Sequence, residues 1–123
     1  MKKFLILSTI SFLLLSNSDC SKKNAAAYRG RLEIKGICMN YTISVLTDGF
    51  DTSLIADSWT DDVTGKTYQY VFRLGSPCNF PADINEGDEF DFVIDTTSKQ
   101  VCAVCEAYYP TPSKSLAIKV IPK

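Results

Sequence analysis

The chain has 123 residues, 13 basic and 14 acidic side chains for a net charge of −1, a hydrophobic content of 46% and no histidine. The hydrophobic content excludes a disordered chain, and the lack of histidine excludes Ser-His-Asp and Cys-His nucleophile systems and histidine-ligated metal centres. Export would remove Lys2, Lys3 and Asp19 with residues 1–19, leaving 11 basic and 13 acidic side chains and a net charge of −2, a poor match to nucleic acid, whose phosphates are bound through Lys and Arg.

Lys2 and Lys3, the apolar run over residues 4–15 and the polar Ser16-Asn17-Ser18 have the three-part layout of a signal peptide over residues 1–19. The apolar run falls short of the roughly 20 residues that a membrane-spanning helix needs. Cys20 stands where a bacterial lipoprotein carries its lipid-modified cysteine, although Asp19 and Asn17 replace the usual small residue and leucine before it. The resemblance implies a lipidated cysteine and flexible tether at 20–27, a membrane-anchored location in the cell envelope, and one domain over 28–123. Cleavage after Ser18, giving a soluble periplasmic or secreted protein, is the alternative. Parity favours the lipid, because the five cysteines less Cys20 leave an even number that can pair completely.

Residues 31–46 alternate, with Leu32 and Ile34 opposite Arg31, Glu33 and Lys35, but beyond Gly36 the apolar set shifts phase to Ile37, Tyr41, Ile43 and Val45. An inserted residue does this, and Gly36 favours a bulge in one long strand over a tight turn between two. Residues 47–51 read as a turn. A short strand over 54–59 and a hairpin loop over 61–66 follow. Residues 67–74 show strict period two, placing Tyr68, Tyr70, Phe72 and Leu74 on one face as core. Pro77 and Pro81 make residues 75–81 a connection. Strands over 89–95 and 115–121 complete the domain, the first with Phe90, Phe92 and Ile94 inward and the second with Leu116, Ile118 and Val120 inward.

Between those last strands lies Cys102-Ala103-Val104-Cys105-Glu106-Ala107-Tyr108-Tyr109-Pro110. Two cysteines at this spacing suit a zinc knuckle, a redox pair or anchors of a disulfide framework. Glu106, in place of a histidine, removes haem attachment, and the tyrosines and prolines that follow argue against the helix start that a redox pair uses. An oxidising compartment removes the thiolates that zinc requires. The expectation is therefore structural disulfides among Cys38, Cys78, Cys102 and Cys105, with no metal and no cofactor. Of the three connectivities, loop-closure entropy favours the two in which Cys38 and Cys78 each bond to one member of the Cys102/Cys105 pair; the choice between them is Cys38 to Cys105 with Cys78 to Cys102, the exchanged pair being next.

About five strands and no helical period in roughly 100 residues predict an all-β fold. The long bent first strand, the hairpin and the Gly-Asp turn into a fourth strand resemble the OB-fold, a five-stranded Greek-key barrel; an immunoglobulin-like sandwich is the alternative. The segments Gly75-Ser76-Pro77-Cys78-Asn79-Phe80-Pro81 and Cys102 to Pro112 resemble those of small exported bacterial lipoproteins of unassigned activity, which implies an architecture and no catalytic residue. Asp88, Asp91 and Asp95, and Asp57, Asp61 and Asp62, are the carboxylate clusters a glycosidase or calcium would need, but their strand and turn positions explain them without chemistry. Trp59, Tyr108 and Tyr109 are the candidate ligand surface. The expectation is a non-enzymatic module binding a protein or carbohydrate, with a thiol-disulfide protein using Cys102 and Cys105, or a purely structural lipoprotein, as rivals.

Overall fold

The computed structural model describes residues 26–97 and 102–123. The expected signal peptide, Cys20 and most of the tether lie outside the described residues. Seven strands occur: β1 (Tyr28–Lys35), β2 (Tyr41–Val45), β3 (Ala56–Thr60), β4 (Thr67–Leu74), β5 (Glu89–Ile94), β6 (Ser115–Leu116) and β7 (Ile118–Ile121). All belong to one sheet in the order β3-β4-β2-β1-β5-β7, with β6 beside β4. The fold is all-β, as its alternations predict, but with seven strands rather than five and one sheet rather than the two of a sandwich. No helix among the described residues is long and apolar enough to cross a membrane.

The core forms because alternation aligns apolar residues across neighbouring strands. Leu32, Ile43 and Phe72 stand in register across β1, β2 and β4 and are fully buried. The Phe92 ring lies 5.7 to 6.5 Å from those of Tyr28, Phe72, Phe90 and Phe50, within the range at which aromatic pairs attract.

The phase shift after Gly36 is a turn between two paired strands, which corrects the bulged single strand. Ile37–Met39 form a short 3-10 turn in which Cys38 and Met39 have φ of 56° and 62°. Two successive left-handed residues match a type I′ hairpin turn. A smaller irregularity lies inside β1, where the register slips between Leu32 and Ile34. Gly36 serves a different purpose: a Cβ there would stand 2.5 Å from the Asn40 carbonyl oxygen and 3.2 Å from the Tyr109 ring.

The expected strand at 115–121 breaks at Ala117 because its two halves serve different neighbours. β6 runs parallel to β4 through Arg73 and Leu74, while β7 runs antiparallel to β5 from Asp91 to Ile94. Ser76, fully buried, clasps the break: its Oγ accepts from the Ile118 N–H at 2.9 Å and donates to the Ile118 carbonyl at 2.8 Å.

Candidate functional site

Residues 102–112 have no regular secondary structure and cross the sheet as a strap. Cys38 bonds to Cys105 and Cys78 to Cys102, with Cα separations of 5.0 and 5.7 Å. Loop-closure entropy favours such long-range bonds over one between Cys102 and Cys105. The observed pairing leaves no bond between Cys102 and Cys105, the arrangement on which a vicinal redox pair would rest. The Asn40 amide ties the strap to the β1–β2 turn, donating to the carbonyls of Ile37 (2.8 Å) and Ala107 (2.9 Å). Two disulfides in a domain of this size point to an oxidising, non-cytoplasmic location.

Tyr109 packs over Gly36 and donates its hydroxyl to Asp61 Oδ2 at 2.7 Å. Asp61 is 1% exposed and also accepts from the Val63 N–H and the Thr64 hydroxyl. Burial pushes the Asp61 carboxyl up, but the bonds from Tyr109, Val63 and Thr64 outweigh it and hold the group below its ordinary value. The Tyr109 phenol is pushed up to about 12, first by its bond to Asp61 and then by desolvation. The pair fastens the strap to the β3–β4 loop. In the two candidate carboxylate clusters Asp61 is buried while Asp57 and Asp62 are exposed, Asp91 pairs with Arg29 at 3.1 Å, and Asp88 accepts from the Asn85 N–H at 2.8 Å. Among the described residues no three His, Cys, Asp or Glu side chains are placed to hold a metal.

Tyr109 is bound into the strap, Tyr108 is 80% exposed, and Trp59 is half-buried with its ring 6.0 Å from that of Tyr68. Of the aromatics assigned to the core, Phe72, Phe90 and Phe92 are buried but Tyr68 and Tyr70 are not. Tyr70 is 49% exposed and Tyr68 half-buried, because Tyr70 has φ of 54° and the alternation does not survive a left-handed residue in mid-strand. For a bulky side chain that conformation is a genuine outlier, costing about 1 to 3 kcal/mol.

Tyr70 also marks where two strands part. β4 pairs with β2 only from Arg73 to Val71, opposite Thr42 to Ser44. On its other side it stays paired with β3 as far as Thr67. Two hollows of about 370 Å³ each open at the parting, and both are walled by Val45, Leu46 and Tyr70. One is apolar at its base, with Phe50 and Ile55, and rimmed by Thr47, Asp48 and Thr52. The other is polar, with Arg31, Glu33, Ser44, Lys66, Tyr68 and Gln69. In the polar hollow Glu33 accepts from Ser44 Oγ (2.7 Å) and Arg31 (3.4 Å), and Lys66 Nζ lies 5.0 Å above the Tyr68 ring. Trp59, Tyr108 and Tyr109 line neither hollow.

A larger hollow of about 870 Å³ lies between the 81–88 turn and the end of β7. Its Glu89 and Asp91 are engaged by Arg29 at 3.3 and 3.1 Å. The parting of β2 and β4 is the better candidate: there an aromatic residue is held in an unfavourable conformation with half its surface open, and strain of that kind gathers at binding and switch sites. Comparison with protein-family models, curated proteins and solved structures finds no match.

Proposed function

We propose that this chain is a binding module of the bacterial cell envelope, anchored through lipid on Cys20, and that its ligand occupies the cleft between β2 and β4. The observation that carries the reading is Tyr70, left-handed, half-exposed and shared by two adjoining hollows. The architecture that fits this reading is an OB-like barrel with β3 as an added edge strand. Support comes from β1 lying between β2 and β5, from β4 beside β2, and from the last segment reaching β4 by one end and β5 by the other. OB-folds hold their ligands on the face of their second and third strands, which correspond here to β2 and β4. The disulfides support export, and the net charge makes nucleic acid an unsuitable ligand.

The test is nuclear magnetic resonance titration of the oxidised protein with panels of soluble glycans and extended peptides. Shift changes should gather at Leu46, Gln69 and Tyr70. Leu46→Trp, at an exposed position on both hollows, should plug the cleft and abolish them with the fold intact. Changes centred instead on Tyr108, or undiminished in Leu46→Trp, would refute the assignment.

A further inference from the structure

We propose that the cleft takes an extended peptide segment of a partner protein, added as a short strand to the exposed edge of β4, with an apolar side chain seated over Phe50 and Ile55. The proposal rests on the cleft being the binding site and names its ligand.

The argument is the direction of the backbone groups. In an antiparallel ladder the N–H and C=O of one residue point to the same side, and successive residues alternate. The Arg73 N–H goes to Lys114 on the β3 and β6 side of β4, at 2.8 Å. The register of β3 against β4 is the same on both sides of Tyr70, Ala56↔Val71 and Ser58↔Gln69, so the alternation of backbone direction persists along β4. Phe72, Tyr70 and Tyr68 therefore turn their backbone groups toward β2. Phe72 meets Ile43 there, but the pairing ends before Tyr70. On β2 the Leu46 N–H goes to Arg29 of β1 at 2.8 Å, which turns Val45 toward β4. Val45 and Tyr70 would have been the next partners in the ladder, and the left-handed turn at Tyr70 holds them apart. The cleft thus presents strand-spaced donors and acceptors that the rest of the sheet does not use.

Unpaired strand edges are recognised by adding a strand: main-chain bonds supply affinity and pockets for alternate side chains supply specificity. Successive side chains of a strand point to opposite faces, and the two adjoining hollows differ in kind as such side-chain sites would, one lined by the core residues Phe50 and Ile55 and the other by Arg31, Glu33 and Ser44 of the opposite face. The one over Phe50 and Ile55 suits an aliphatic or aromatic residue. The other offers Lys66, whose ammonium lies 5.0 Å from the centre of the Tyr68 ring in a region where Arg31 is occupied by Glu33 and Glu89, and so suits an acidic residue. A glycan would stack on Tyr70 and Tyr68 but has no use for a row of main-chain groups at strand spacing.

An array of heptapeptides varied at every position, offered to the oxidised mature protein, supplies the probe. Binders should carry an apolar residue at one variable position and favour an acidic one beside it. Two N-methylated forms of the best binder, with methyl groups on odd or on even residues, separate main-chain from side-chain recognition. One form should bind as the parent does and the other at least tenfold more weakly, while the Tyr68 and Tyr70 amides gain protection from hydrogen exchange. Equal binding by both methylated forms would overturn the proposal in favour of side-chain stacking. Glycans that shift the cleft resonances while no peptide does would overturn it and leave the cleft as a binding site. Failure of every peptide and glycan to shift them would overturn both readings.

Discussion

Replacing Cys38 and Cys105 by alanine removes the bond that closes a loop of 67 positions. Loop-closure entropy puts its contribution at about 4.4 kcal/mol at 25 °C. The Cys78–Cys102 bond lies within that loop and short-circuits part of it, which lowers the figure by about 0.4 kcal/mol. Against this, Cys38 and Met39 hold a left-handed turn, and freedom to relax returns about 1 kcal/mol. The expected net loss is about 3 kcal/mol, a large share of the roughly 5 to 15 kcal/mol that stabilises a domain. Urea unfolding followed by tryptophan fluorescence reads it directly: with a slope of about 1 to 1.5 kcal/mol/M, the midpoint should fall by about 2 to 3 M. The strap should also loosen before the sheet, so the Ala107 and Tyr109 amides should lose protection while Phe92 keeps it. A midpoint shift below about 0.5 M with an unchanged slope would refute the reasoning, since the bond would then be ornament on a strap held by Asn40 and Tyr109.

Four further outcomes are expected. Tyr70→Gly should change stability by less than about 1 kcal/mol, because relief of a left-handed residue offsets the lost contacts of a half-exposed ring, whereas Phe92→Ala at a fully buried position should cost about 3 to 5 kcal/mol; denaturant midpoints compare them. Gly36→Ala should cost about 1 to 3 kcal/mol by overpacking against the Asn40 carbonyl, read in the same assay. The Tyr109 phenol, raised to about 12 by Asp61, favours the folded state while protonated, so its contribution is complete below pH 10 and is lost between pH 10 and about 12; Tyr109→Phe should flatten that part of the stability profile. Mass spectrometry of the protein from its own host should find acyl groups on Cys20, and a mature chain beginning at Asp19 without acyl mass would remove the anchor.

The parts of this fold that can be read from the chain are those set by local pattern and by chain entropy. The limits of β4 fall where the alternation over 67–74 begins and ends, and the preference for two long-range disulfides over a Cys102 to Cys105 bond follows from sequence separations, although separations of 67 and 24 do not distinguish the observed pair from the exchanged one. The failures share a different cause. The β1–β2 turn places Cys38 and Met39 where a type I′ turn ordinarily takes Asn-Gly, so the strongest local marker of a hairpin is missing. The disulfide and the bond from Asn40 to the strap, both tertiary, hold the turn in place of that marker. Gly36 drew attention to itself for the wrong reason: it is small to admit Tyr109, 73 positions away along the chain. The break at Ala117 is equally invisible, since a two-partner strand keeps its alternation while changing neighbours. Tyr70 fits the apolar face of β4 by every local criterion, and only the sheet shows that its conformation turns the ring outward.

The two sites of left-handed backbone outside glycine differ in what surrounds them, and that difference is the ground for placing function at one and not the other. At Cys38 and Met39 the strain is enclosed: a disulfide, the Asn40 bonds and the Tyr109 ring converge on the turn, and Met39 packs against the core. Such a turn is over-determined, and its conformation needs no ligand to explain it. At Tyr70 the ring is half open, the ladder to β2 has just ended, and hollows lie on either side. A regular β4 would have paired Tyr70 with Val45 and closed the cleft. Keeping it open costs a pair of main-chain hydrogen bonds, each worth about 1 kcal/mol, in addition to the backbone strain. The lost hydrogen bonds would be recovered when a bound strand completes the ladder, so the gap that weakens the isolated domain is the one that would strengthen its complex.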